Sequence, residues 1–84
     1  MKPAPHVRAN VSDDGLILMD IRSGQIFSAN PIAARIWSGI EQGQLLSTIV
    51  EEISSDTGAD VAIVERDAVE FVNALKARTL VADC

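Results

Sequence analysis

The hydrophobic period of this chain changes once, at Asn30-Pro31, and that switch divides it into a β-forming segment and a helical remainder. Before it, Val7 to Val11 alternates apolar and polar residues at strand period. Asp13-Asp14-Gly15 reads as a turn, Leu16 to Ile21 as an apolar central strand, Arg22-Ser23-Gly24-Gln25 as a second turn, and Ile26 to Ala29 as a short third strand. A three-residue loop at 13–15 would pair Val11 with Ile17, Ala9 with Met19 and Val7 with Ile21. A two-residue Ser23-Gly24 loop would pair Ile21 with Ile26 and Asp20 with Phe27. That register predicts a core face of Val7, Ala9, Val11, Ile17, Met19, Ile21 and Ile26. The opposite face, expected outside, mixes Leu16, Leu18, Phe27 and Ala29 with Arg8, Asn10 and Asp20, and Arg8 would oppose Asp20. Its apolar members would offer a docking surface to a partner.

After the switch, Asn30 is a good N-cap and Pro31 a good first helical residue. Ile32, Ile36, Trp37 and Ile40 form the stripe of a first helix. A second helix is expected from about Gln44 to Ser54, with Leu46, Ile49, Val50 and Ile53 inward. A third, capped by Asp60 and running to about Arg78, would bury Val61, Val64, Ala68, Phe71, Val72 and Leu75. Leu80 and Val81 should fold back on the core. Pro3 and Pro5 obstruct both helix and strand pairing, so residues 1–6 read as a flexible arm before one domain over 7–82. The expected class is α+β: a three-stranded antiparallel meander followed by three helices.

The 84 residues suffice for one domain, and 48% hydrophobic content is too high for disorder. A net charge of −5 argues against nucleic acid and anionic membrane as partners. No apolar run approaches the ~20 residues of a membrane span, and no secretory signal is evident. The one cysteine, Cys84, excludes an internal disulfide; it reads as an inert tail residue of a cytoplasmic protein.

Catalytic chemistry is poorly served. His6, the one histidine, falls in the Pro-rich arm, which cannot hold a base against a nucleophile. One Cys and one His at opposite ends make no zinc site. Glu51-Glu52 and Glu65, Asp67 and Glu70 read as solvated helix faces. Asp13, Asp14 and Asp20 lack calcium-loop spacing, and Gly24 has no phosphate-cradling pattern around it. No catalytic residue, metal or cofactor is expected, and the chain reads as a binding protein rather than an enzyme. The segment Gln25 to Ala29 points to what it binds. It contains no Pro, Lys or charge, the devices that normally blunt an edge strand, so it is a candidate rail for an added peptide strand.

The run Asp14-Gly15-Leu16-Ile17-Leu18-Met19-Asp20, then Ser23-Gly24-Gln25-Ile26-Phe27, then Asn30-Pro31 with Ala34-Arg35-Ile36-Trp37, resembles the PqqD family. Gly43, Ile49, Val50, Ile53, Asp67-Ala68-Val69, Phe71 and Leu75 fit its helical half, so the resemblance covers roughly residues 7–81. It implies a winged-helix-like recognition element that binds the leader segment of a ribosomally synthesised precursor peptide (RiPP) as an added strand, between the third strand of the meander and the third helix. The free-standing form looks most like the recognition proteins of lasso-peptide biosynthesis. Their partners are a transglutaminase-like leader peptidase and a later macrocyclase. An alternative is a peptide chaperone for a radical-SAM enzyme in pyrroloquinoline quinone synthesis; a further alternative is a winged-helix DNA-binding protein, against which Glu65, Asp67 and Glu70 speak. Carried over, the peptide-binding residues are the backbone of Gln25, Ile26, Phe27, Ser28 and Ala29 and the side chains of Val69, Val72, Asn73 and Lys76. Two departures from the family pattern stand out: Ala29 replaces a common Leu, and Thr79 occupies the place of a helix-ending Gly.

Overall fold

A computed structural model describes residues 1–82; Cys84 lies outside them. Eight elements follow in order: β1 (Lys2–Pro3), β2 (Val7–Ser12), β3 (Gly15–Asp20), β4 (Ile26–Ala29), α1 (Pro31–Glu41), α2 (Leu46–Thr57), α3 (Val61–Ala77) and β5 (Val81–Ala82). The meander β2-β3-β4 and the three helices are as expected, and β1 and β5 form a separate two-stranded ribbon.

The register differs from the expected one. Ser12 pairs with Gly15, so Asp13-Asp14 is a two-residue loop, and Val11, Ala9 and Val7 oppose Leu16, Leu18 and Asp20. This slip of one residue turns β2 over relative to β3. Arg8 therefore opposes Met19 rather than Asp20. The second loop is longer than expected, and β4 joins through Met19↔Ile26 and Leu18↔Phe27. The Asp20 side chain causes this: its Oδ1 accepts the Arg22 N–H at 2.8 Å, and its carbonyl accepts Gly24 N–H at 2.7 Å, an Asx-turn that uses up the residues of a tight hairpin. Desolvation works to raise the Asp20 pKa, but the hydrogen bonds and charge from Arg22 outweigh it and hold the carboxyl below its usual range.

The core face is also the reverse of the expected one. Leu16 and Leu18 are buried, with Phe27 and Ala29 packed beside them, whereas Ile17, Met19, Ile21 and Ile26 are exposed. Both faces of β3 are apolar, so alternation alone could not choose between them. The helices decide: Ile36, Trp37 and Ile40 of α1, Ile49, Val50 and Ile53 of α2, and Val64, Ala68, Val72 and Leu75 of α3 close over Leu16 and Leu18. Val61, expected inside, is exposed at the start of α3. The α1 N-cap holds as expected, with Asn30 Oδ1 accepting the Ala33 N–H at 2.9 Å. Asp60 caps α3 likewise, through Ala62 N–H at 2.8 Å.

The N-terminal segment is docked, contrary to the free arm expected from its prolines. Lys2 and Pro3 pair with Ala82 and Val81, Ala4 is buried, and Ala4 N–H donates to the Leu80 carbonyl at 3.0 Å. Pro3 is tolerated because a two-residue edge strand demands few donors. His6 Nε2 lies 2.8 Å from the Thr79 carbonyl and 4.0 Å from Asp20 Oδ2. The carbonyl can only accept, so Nε2 carries the donated proton. This strut fixes the end of α3 against the sheet.

Thr79 follows the Arg78 C-cap at φ 59°. This is the left-handed conformation that terminates helices, and a β-branched residue is strained there. Thr79→Gly is therefore expected to stabilise the protein by about 1 kcal/mol, seen as a melting temperature raised by roughly 4–8 °C in a thermal unfolding scan.

Candidate peptide-binding site

β4 is an edge of the meander, paired to β3 on one side only. The direction of its backbone groups follows from one bond. Asp20 N–H donates to the Gln25 carbonyl at 3.0 Å. An antiparallel ladder alternates residues that exchange both bonds with the neighbour and residues that turn both groups away. Continuing from Asp20 and Gln25, Phe27 and Ala29 bond to Leu18 and Leu16, and Ile26 and Ser28 present N–H and C=O outward. Ile26 is 64% exposed. Nothing in the sequence blunts this edge.

Beside the edge runs a cleft of about 510 Å³ between β4, the start of α1 and one flank of α3. Phe27 and Ala29 line it from the strand, Ile32 and Ile36 from α1, and Asp67, Glu70, Phe71 and Ala74 from α3. The Phe27 and Phe71 rings meet at 6.1 Å between centroids, tilted by 41°, and form an aromatic floor. Arg78 places its guanidinium 4.9 Å from the Phe27 ring centre and borders a small hollow with Gln25, Ile26 and Phe27. The wall is thus acidic beside Ala29 and Asn30, aromatic in the middle and basic beside Gln25.

Of the residues carried over from the family pattern, Gln25 to Ala29 lie along this edge. The four from α3 do not join them. Val69, 42% exposed, lines a different hollow with Leu46, Val50 and Val61, between α2 and α3. Val72 is 5% exposed and belongs to the core. Asn73 and Lys76 are exposed outside the cleft lining. The buried stripe of α3 has two flanks, and the sequence does not say which one faces β4. The α3 residues that do line the hollows beside β4, and that the sequence did not single out for this role, are Asp67, Glu70, Phe71, Ala74 and Arg78. Their spacing is a helical face in its own right, and Phe71, the one aromatic residue of α3, was its available marker.

Comparison with known proteins agrees with this architecture. Residues 15–81 match the family model described as coenzyme PQQ synthesis protein D (PqqD). The chain belongs to the PqqD family. Two solved structures share its fold over almost its whole length. TbiB1 in complex with the TbiA(beta) leader peptide is 32% identical, covers 99% of this chain and 100% of its own, and superposes with a TM-score of 0.85. Lasso peptide synthetase B1 complexed with the leader peptide is 26% identical, covers 92% of this chain and 91% of its own, and gives a TM-score of 0.82. No curated protein matches the sequence. The family match begins at Gly15, so it takes in β3, β4 and all three helices, the elements that build the edge and the cleft.

Among the described residues, no group of three or more His, Cys, Asp or Glu side chains is placed to hold a metal ion. No helix among them is long and apolar enough to cross a membrane.

Proposed function

We propose that this protein recognises the leader segment of a ribosomally synthesised precursor peptide by adding it as a strand to β4, and delivers it to a leader peptidase in lasso-peptide biosynthesis. It catalyses no step itself. The observation that carries this reading is the open β4 edge, with Ile26 and Ser28 turned outward beside the cleft, in a fold shared with TbiB1 and lasso peptide synthetase B1, both solved with leader peptides. Within the edge Gln25 to Ala29, the backbone of Ile26 and Ser28 supplies the ladder, and Phe27, Phe71 and Ala74 receive an apolar leader side chain. Val69, on the flank toward α2, and the exposed Asn73 and Lys76 lie outside the cleft and are not assigned to the leader. The leader peptidase and the macrocyclase are the partners proposed, in the cytoplasm. The family description favours a second reading, a peptide chaperone in pyrroloquinoline quinone synthesis; the likeness to two leader-bound lasso proteins favours the first.

A titration of the isotope-labelled protein with the leader peptide encoded beside its gene tests the site. Saturable amide shift changes are expected at residues 26–29 and at Glu70, Phe71 and Ala74 of α3, with the α2 residues Leu46 and Val50 unmoved. Changes confined to the α2 side, or no saturable binding to any precursor peptide of that gene neighbourhood, would overturn the reading.

A further inference from the structure

The cleft is polarised along its length. Side chains of a strand alternate between faces, and Phe27 and Ala29 share the core-facing side of β4 with their partners Leu18 and Leu16. A strand added to β4 therefore turns toward α3 the residues opposite Gln25, Phe27 and Ala29. α3 runs from Asp67 past Phe71, which meets Phe27, to Arg78, so the residue opposite Ala29 comes toward Asn30 and Asp67, with Glu70 between them and the aromatic floor. The residue opposite Phe27 lies over Phe27 and Phe71, against Ala74. The residue opposite Gln25 meets Arg78, held over the Phe27 ring, in a hollow that Asp20 also lines with its carboxylate engaged by Arg22. Asp67 has a loose 3.6 Å contact with the neighbouring Arg66, both side chains being more than half exposed, so its charge is only partly offset.

Resting on the added-strand reading, we infer that the site selects a leader bearing a basic, an apolar and an acidic side chain at alternate positions. The basic side chain sits at the Asp67/Glu70 end, the acidic one about four residues away at the Arg78 end. The apolar residue between them dominates affinity, because it is the one removed from water. The two charges fix register and direction: a strand slipped by two residues sets a charge on the aromatic floor, and one slipped by four, or reversed, brings like charges together.

The probe is the leader peptide encoded beside the gene, with Lys and Glu placed in turn at each position and affinity measured by fluorescence anisotropy at low salt. One position is expected to prefer Lys over Glu, and a second, about four residues away, Glu over Lys, each by about 3- to 10-fold at exposed sites of this kind. Glu70→Lys, which sets a lysine beside Asp67, should abolish the first preference and leave the second. Arg78→Glu should invert the second, and Arg78→Gln, which keeps a long side chain on the Phe27 ring, should abolish it. Both preferences should fade in high salt. Binding with shift changes along β4 but without these preferences, or with preferences indifferent to Glu70→Lys, would overturn the polarity while leaving the added-strand reading intact. Absence of binding by every peptide of the series would overturn both.

Discussion

Leu18→Glu is expected to destroy the fold, while Met19→Glu, one residue along, leaves it intact. Leu18 is 0% exposed, in the central strand of the meander, under all three helices. A carboxylate there loses its water among apolar side chains, and no buried cation among the described residues offsets its charge. The leucine's own burial, worth roughly 1.5–3 kcal/mol, is lost as well. Together these exceed about 4 kcal/mol, a large fraction of the ~5–15 kcal/mol that stabilises a typical domain. Purified Leu18→Glu should show no cooperative transition in urea. Met19 is exposed at 39% on the opposite face, so Met19→Glu should unfold within about 0.5 kcal/mol of wild type. The opposite result, Met19→Glu unfolded and Leu18→Glu tolerated, would mean that the sheet presents the other face to the helices.

That pair of variants marks where the sequence ceased to be sufficient. Helix positions, both Asp60 and Asn30 caps and the meander were legible, because each rests on local chemistry: a capping side chain, a glycine turn, a 3.6-residue stripe. The face of the sheet was not. Leu16, Ile17, Leu18 and Met19 are all apolar, so the period-2 signal is absent from the strand that matters most. The arithmetic of the loops was left to choose the register. A two-residue loop at Asp13-Asp14 and an Asx-turn at Asp20 then altered both pairings. The same ambiguity recurs in α3. Its core stripe is plain, yet Val69 on one flank is more apolar than Asp67 and Glu70 on the other, and attracts attention to the side facing α2. Only the packing of α3 against β4, through Phe71 on Phe27, distinguishes the flanks. The N-terminus shows a third limit. Pro3 argues against a long strand, but the ribbon it joins is two residues long and held from outside by Ala4 and His6.

Ser28→Pro is expected to weaken leader binding by about 10- to 100-fold with the fold preserved, and Phe27→Pro to damage the fold itself. The two residues are adjacent, equally apt to be read as edge positions, and distinguished by the ladder alone. Phe27 directs its N–H to Leu18 in β3, so proline there removes a bond inside the sheet and takes away a ring packed on Phe71. Ser28 directs its N–H outward and its exposed side chain to the outer face. Proline there leaves every β3–β4 bond in place. For an incoming strand, one donor is gone, at about 0.5–1.5 kcal/mol, and the pyrrolidine ring stands where the partner's carbonyl would approach. The steric part brings the loss to roughly 1.4–2.7 kcal/mol, the stated range in dissociation constant. Thermal unfolding of both variants and anisotropy titration of Ser28→Pro with the labelled leader peptide separate the effects. Wild-type affinity in a folded Ser28→Pro protein would remove the β4 edge from the binding site. It would leave the cleft with Phe71 and Ala74 as a side-chain pocket engaged without strand addition.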